Sequence, residues 1–124
     1  MFSISLSKNF TSQHSFPNSV GPERSKHPHP YRIEMTLMGE ELGDDGFLVD
    51  LDRMSAIMDE VVGIVEGAYL NDLPEFKGIN PSLENFSRVM WTWVADRLKE
   101  PRVERIRITV WESEDARASY EPRL

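Results

Sequence analysis

The sequence of 124 residues contains no cysteine, which excludes disulfide bonds, thiolate metal ligands and cysteine nucleophiles. It also lacks a long apolar run, because every apolar stretch is far shorter than the roughly 20 residues that cross a bilayer. The N-terminal segment MFSISLSKNF alternates apolar and polar residues and does not contain the apolar stretch of a signal peptide. We therefore expect no secretion and no membrane partner, and we expect a cytoplasmic protein.

Basic side chains are fewer than acidic ones. The chain has 14 basic and 21 acidic side chains, a formal charge of −7, and no basic run. Phosphate backbones attract the opposite sign of charge, so a nucleic-acid partner is not expected. The length and a hydrophobic content of 40% predict one globular domain over residues 1–124.

Apolar periodicity predicts an α+β fold. Alternating patterns predict strands, and apolar residues at helical spacing predict helices, the second opened by Asn80 as N-cap and Pro81 in the first turn. In chain order the predicted elements are strands near 2–10 and 31–37, helices near 51–65 and 83–98, a strand near 106–110 and a short strand near 118–121. This order favours an antiparallel sheet over a parallel βαβ arrangement.

Histidines are concentrated at the ends of the first two strands. His14 continues the apolar face of the first strand, and His27 and His29 have the parity of the apolar residues of the second. If these strands pair as antiparallel neighbours, three imidazoles approach one another, and zinc commonly takes three imidazoles with a fourth position open. The alternative is a rigid surface loop with solvated histidines, because Pro28 and Pro30 remove two amide donors.

Glu112 is an acid at a position where the pattern predicts an apolar side chain. It continues the inward parity of Ile106, Ile108 and Val110. A buried carboxylate needs hydrogen-bond donors, and a ligand with paired N–H groups, such as a pterin ring edge, would supply them. The alternative is that the strand has ended and Glu112 lies in water.

Six segments occur in an order that resembles the 6-pyruvoyl-tetrahydropterin synthase and 6-carboxy-tetrahydropterin synthase family. They are FTSQHSF (10–16), HPHPYRI (27–33), GFLVDL (46–51), YLND (69–72), NPSLEN (80–85) and VWES (110–113). The resemblance implies the tunnelling fold, a four-stranded antiparallel sheet with two helices on one face. It also implies that three subunits close a β-barrel and that two such trimers stack into a homohexamer.

The resemblance also implies roles for particular residues. The pterin-anchoring glutamate of the family corresponds to Glu112, and the helix-start segment that helps to hold the pterin corresponds to Ser82 and Leu83. The family's three zinc ligands correspond to His14, His27 and His29.

Departures from the family pattern concern the proton-transfer groups. The cysteine base of the family is absent, and Glu23 stands four residues before His27. The family's Asp-His pair is replaced by Glu66 and Gly67, and Pro28 replaces the glycine between the zinc histidines. Because proton transfer by a positioned group contributes about 10²- to 10⁴-fold, we expect the usual synthase reaction to be lost.

Three functions remain open at this point. The first is a homologue that binds a pterin-like ligand through Glu112 without the usual reaction. The second is a zinc-dependent lyase or aldolase on a dihydroneopterin-type substrate, with Glu23 or Glu66 moving the proton. The third is a hexameric scaffold without small-molecule chemistry. The alternative for Glu23 is a solvated loop residue beside Arg24 and Lys26.

Overall fold

A long hairpin forms the centre of the fold. The computed structural model describes residues 1–122. Strand β1 (Phe2–His14) pairs with strand β2 (His27–Gly39) in an antiparallel register that runs from Phe2 opposite Gly39 to His14 opposite His27. Both strands extend beyond the segments predicted from alternation alone. The histidine–proline segment is therefore part of β2 and not a loop that precedes it.

Two further strands complete one antiparallel sheet. Strand β3 (Arg105–Trp111) pairs with β2, and strand β4 (Arg117–Tyr120) pairs with β3, so the sheet order is β1-β2-β3-β4. Helices α1 (Leu51–Val65) and α2 (Leu83–Arg97) connect β2 to β3. This is the predicted α+β class and the four-stranded, two-helix arrangement of the tunnelling fold.

Each helix begins at a side-chain cap. Asp50 accepts a hydrogen bond from the backbone N–H of Asp52 and opens α1. The prediction that Asn80 caps α2 is wrong, because the Ser82 hydroxyl accepts from the Asn85 N–H at 3.1 Å. Asn80 contributes through its backbone carbonyl, which accepts from the Asn85 side-chain amide. The N-cap of α2 therefore lies two residues later than predicted.

Both helices pack on one face of the sheet. The buried sheet residues that contact them share the core-facing parity of their strands and include Ile33, Met35, Leu37, Ile108 and Val110. The opposite face is polar, with hydroxyl pairs at Ser5–Thr36 and Thr109–Ser119. Within residues 1–122, no helix is long and apolar enough to cross a membrane.

Candidate functional site

The three histidines lie together at one end of the sheet. His14 and His27 are directly opposite in the β1–β2 register, and their Nε2 atoms are 2.8 Å apart. His29 projects from the same face of β2, with its ring centroid 5.4 Å from that of His14. This proximity follows from the period of two along a strand, since residues two apart share a face.

The outer ring nitrogens of two histidines are held by carbonyl oxygens. Nδ1 of His27 lies 2.8 Å from the carbonyl oxygen of Ser25, and Nδ1 of His29 lies 2.7 Å from that of Pro30. A carbonyl oxygen only accepts hydrogen bonds, so each Nδ1 carries a proton and donates it. In a neutral ring, Nε2 then keeps its lone pair. Metal-binding histidines are commonly held in this orientation, with the ring N–H that faces away from the metal donated to a carbonyl oxygen.

His14 is buried and has a different partner. Its side chain is 2% exposed, and its Nδ1 is hydrogen-bonded to the hydroxyl of Tyr31. Burial, followed by the nearby His27 and His29, lowers the pKa of His14 from 6.5 to about 4. Burial, and then the Glu112 carboxylate, raises the pKa of Tyr31. At neutral pH, His14 is therefore an uncharged imidazole, the form that binds metals.

The donor set suits zinc, but the rings do not form a finished coordination site. Among the described residues 1–122, no group of three or more His, Asp or Glu side chains is arranged to hold a metal ion as it stands. The 2.8 Å between Nε2 of His14 and of His27 is shorter than the roughly 3.3 Å between two imidazole nitrogens on a tetrahedral zinc. A bound ion would therefore require the His14 and His27 rings to separate slightly.

Glu112 lies beside the histidines, immediately after β3. Its side chain is 39% exposed, and Oε1 is 3.5 Å from Nε2 of His29. Its backbone N–H donates to the carbonyl oxygen of Ala116, which starts the turn to β4. Glu112 is thus half-buried, between the two alternatives of a buried carboxylate and a fully solvated one.

The start of α2 faces the same carboxylate. Ser82 and Leu83 border a cleft of about 230 Å³ together with His14, Tyr31 and Glu112. Ser82 and Glu112 are 30 positions apart in the chain and approach one another because α2 packs against β3 and β4. Hydroxyl, carboxylate and imidazole groups therefore surround one concave surface.

Glu23 borders a second cavity that contains the imidazoles. It lies in a short 3-10 turn, Pro22–Arg24, and its side chain is exposed. The cavity of about 500 Å³ is also bordered by His14, His27, His29 and Glu112. Within residues 1–122, Glu23 forms no ion pair with Arg24 or Lys26. The structure thus brings Glu23 to the imidazole cavity, although the side chain is also accessible to water.

Glu66 lies in a different environment. It is the residue that ends α1, and its carboxylate accepts from the backbone N–H of Thr11 at 3.2 Å. It borders a separate cleft of about 710 Å³, which it shares with Trp111 and Glu112. It borders neither of the two clefts that contain His14. Its carboxylate accepts from an amide at the outer edge of β1.

Tyr31 is the site residue that the sequence reasoning missed. The alternation placed it with the core residues of β2, and it is indeed 4% exposed. Its hydroxyl nevertheless contacts His14. The signal was its position two residues after His29, because that spacing directs both side chains to the same face.

Comparison with known proteins gives consistent results. The family described as 6-pyruvoyl tetrahydropterin synthase matches residues 3–123. A 6-pyruvoyl tetrahydrobiopterin synthase of Dictyostelium discoideum is 31% identical over 78 residues, which are 61% of this chain and 58% of that protein, less than two thirds of its length.

Solved structures agree in fold. The Caenorhabditis elegans 6-pyruvoyl tetrahydropterin synthase has a TM-score of 0.86 at 18% identity, covering 98% of this chain and 96% of its own. A Plasmodium vivax 6-pyruvoyltetrahydropterin synthase, solved with a catalytic glutamate replaced by alanine, has a TM-score of 0.80 at 15% identity, covering 99% and 98%. With a match across nearly all of its sequence, this chain belongs to the 6-pyruvoyl tetrahydropterin synthase family.

Proposed function

We propose that this chain binds a pterin-like ligand through the carboxylate of Glu112 and does not carry out the usual synthase reaction. The observation that carries the proposal is the position of Glu112, which borders all three clefts at this end of the sheet. Its contact with His29, at 3.5 Å, is too long to be a strong hydrogen bond. The carboxylate therefore keeps acceptor capacity for two N–H groups of a ligand.

Ser82 and Leu83 support the same ligand class. They border the cleft between Glu112 and the imidazoles, where a flat ring could lie with its donor edge toward the carboxylate. The Ser82 hydroxyl oxygen accepts from Asn85, so its own proton remains free to donate to a ligand oxygen or ring nitrogen.

We infer the loss of the usual reaction from the absence of two proton-transfer groups of the family. The chain has no cysteine, and Gly67 stands where family members have a histidine. Glu66, next to it, is hydrogen-bonded to the Thr11 backbone instead of bordering the imidazole cavity. The cysteine and the histidine that the resemblance assigns to proton transfer in the family synthases are therefore both missing from this chain.

Titration of pterin fluorescence tests the binding proposal. Oxidised and reduced pterins, including neopterin, would be titrated with the purified chain, and a nucleoside of similar size would be added as a competitor. We expect saturable quenching of the pterin fluorescence that the nucleoside does not reverse. Displacement of the pterin by an equal concentration of the nucleoside, or no quenching of any pterin, contradicts the proposal and favours the scaffold.

Zinc is part of the proposal, with His14, His27 and His29 as the residues that would hold it. Their fit rests on the carbonyl partners of His27 and His29, which leave both Nε2 lone pairs available, and on the neutrality of buried His14. When bound, zinc would polarise an oxygen of the ligand side chain. Metal analysis of protein purified without added zinc should find about one ion per chain.

A second candidate function is an aldolase-like cleavage of a dihydroneopterin-type side chain. It is favoured by Glu23, which borders the same cavity as the imidazoles and Glu112. The Plasmodium vivax relative is described as having a catalytic glutamate, which supports a carboxylate as the working group in this fold. Glu23 would accept the proton of the side-chain hydroxyl while the adjacent carbon–carbon bond breaks. The bonding electrons pass into the pterin ring system and are then protonated, so that a hydroxymethyl pterin and a two-carbon aldehyde result.

The substitution Glu23→Gln separates the two functions. Incubation with dihydroneopterin and chromatography of the products would measure cleavage, and fluorescence titration would measure binding. If the lyase function is right, cleavage falls by about 10²- to 10⁴-fold while the dissociation constant changes little. Absence of cleavage in the wild-type chain rejects the lyase and leaves pterin binding.

Assembly as a hexamer is also a proposal. Within residues 1–122, β1 and β4 each pair with one strand of the sheet, so β4 and the part of β1 before Thr11 offer edges to another copy. Pairing β1 of one copy with β4 of the next would continue the sheet into a closed barrel, as the family resemblance implies. Native mass spectrometry should give six times the chain mass. A monomer at micromolar concentration would contradict this proposal.

A further inference from the structure

Tyr31 is fixed by the core while its hydroxyl contacts a proposed metal ligand. Its ring stacks on Phe10 with centroids 5.5 Å apart and meets Phe86 edge-on at 5.1 Å. With 4% of the side chain exposed, the ring has little freedom to move. The hydroxyl is therefore held against Nδ1 of His14.

The direction of that hydrogen bond follows from the neighbouring histidine. Nδ1 of His27 donates to the Ser25 carbonyl, so Nε2 of a neutral His27 is an acceptor. Its contact with Nε2 of His14, at 2.8 Å, therefore requires the proton to be on Nε2 of His14. Nδ1 of His14 is then unprotonated and accepts from the Tyr31 hydroxyl.

Metal binding requires the reverse arrangement at His14. An imidazole binds a metal through a lone pair, so Nε2 must give up its proton. In the neutral ring the proton then resides on Nδ1, which needs an acceptor because the ring is buried. The only hydrogen-bond partner that Nδ1 has among the described residues is the oxygen of Tyr31.

We propose that Tyr31 is a positioning residue whose hydroxyl reverses its hydrogen bond to His14, donating when the histidine pair is closed and accepting when His14 holds a metal. The inference rests on the zinc part of the proposed function. Only a group that both donates and accepts can serve both states, and a hydroxyl does so. His27 and His29 need no such partner, because their carbonyl-bound Nδ1 atoms stay protonated in both states.

Zinc affinity of Tyr31→Phe, measured by competition with a chromophoric chelator, is the first test. Phenylalanine fills the same space between Phe10 and Phe86, so we expect the fold to persist, with thermal denaturation as the check. Loss of the hydrogen-bond partner of a metal-binding histidine weakens metal binding by about 10- to 100-fold, and we expect a loss of this size. Tyr69→Phe is the matched control, because the Tyr69 hydroxyl is hydrogen-bonded to Ser15 and, among the described residues, to no imidazole. We expect it to bind zinc as the wild type does.

Nitrogen-15 NMR of the imidazoles in the wild-type chain is the second test, and it does not depend on the variant folding. We expect the His14 proton on Nε2 without metal and on Nδ1 with zinc. A proton on Nδ1 in both states, or equal zinc affinity of Tyr31→Phe and wild type, overturns the role of Tyr31. If the wild-type chain binds no zinc, the metal proposal fails together with this inference, whereas pterin binding through Glu112 is decided separately by the fluorescence titration.

Discussion

The substitution Glu112→Gln is the sharpest test of the pterin-binding proposal. It preserves the size of the side chain but replaces one acceptor oxygen with an NH₂ group. A ligand with two N–H groups would then lose one charge-assisted hydrogen bond. One of its N–H groups would instead point at the NH₂ group of the glutamine, which is also a donor. Hydrogen bonds to a charged group contribute about 1.5–3 kcal/mol, and 1.4 kcal/mol is about tenfold in affinity. We therefore expect the dissociation constant to rise by about 10- to 100-fold.

The fold should tolerate this change. The Glu112 side chain is 39% exposed, and within residues 1–122 its one ionic contact is the 3.5 Å approach to His29. Substitutions at such surface positions usually change the free energy of unfolding by less than about 0.5 kcal/mol. A loss of affinity would therefore report on the ligand and not on unfolding, which circular dichroism would verify.

Fluorescence titration of the wild type, Glu112→Gln and Asp115→Asn completes the experiment. Asp115 is exposed, lies three residues away and borders none of the three clefts around Glu112, so its variant controls for the loss of one negative charge. We expect this control to bind as the wild type does. Equal pterin affinity of the Glu112 variant and the wild type would refute the reasoning. Equal weakening of pterin affinity in both variants would show that the loss reflects the net charge of the chain and not a contact with Glu112.

Three further predictions concern stability, each measured by urea denaturation at equilibrium. Ser82→Ala removes the cap of α2 and should lower the free energy of unfolding by about 1 kcal/mol, and an unchanged midpoint would show that the cap is dispensable. Gly39→Ala should cost about 1–3 kcal/mol, because the added Cβ would clash with the backbone carbonyl oxygen of Arg102. Gly63→Ala, within α1 and with no atom within 4 Å of the added Cβ, is the matched control and should stabilise by about 0.5–1 kcal/mol. Because the pKa of His14 is lowered from 6.5 to about 4, its folded form stays neutral while the unfolded form takes up a proton. The metal-free chain should therefore lose stability as pH falls through this range, by up to about 1.4 kcal/mol per pH unit, and His14→Gln should flatten the dependence.

Local pattern was sufficient for the elements and their order. Alternation gave the strands and helical spacing gave the helices, because burial of one face requires those periods. The cap of α2 was misassigned because Asn80 and Ser82 are both good capping residues, and only the backbone path decides whose oxygen reaches the free amide. Extension of β2 through two prolines was not predictable from propensity, since proline usually marks a strand entrance.

Some residues of the candidate site could be selected from the sequence, and others could not. Parity alone placed His27 and His29 on one face and Glu112 in line with the inward residues of β3, so these residues could be selected from the sequence. Glu66 and Glu23 could not be distinguished in this way, because both lie outside the regular strands. In the structure, Glu23 borders the imidazole cavity, whereas Glu66 is bound to the edge of β1.

The sequence by itself determined the fold class, the face of each strand and the absence of thiol chemistry. Only the tertiary structure decided that His14 lies directly opposite His27, because a slip of one residue in the register would turn one of them to the other face. It also decided that the Tyr31 hydroxyl ends at His14. That contact depends on packing between Phe10 and Phe86, from different elements of the chain, and no local pattern encodes it.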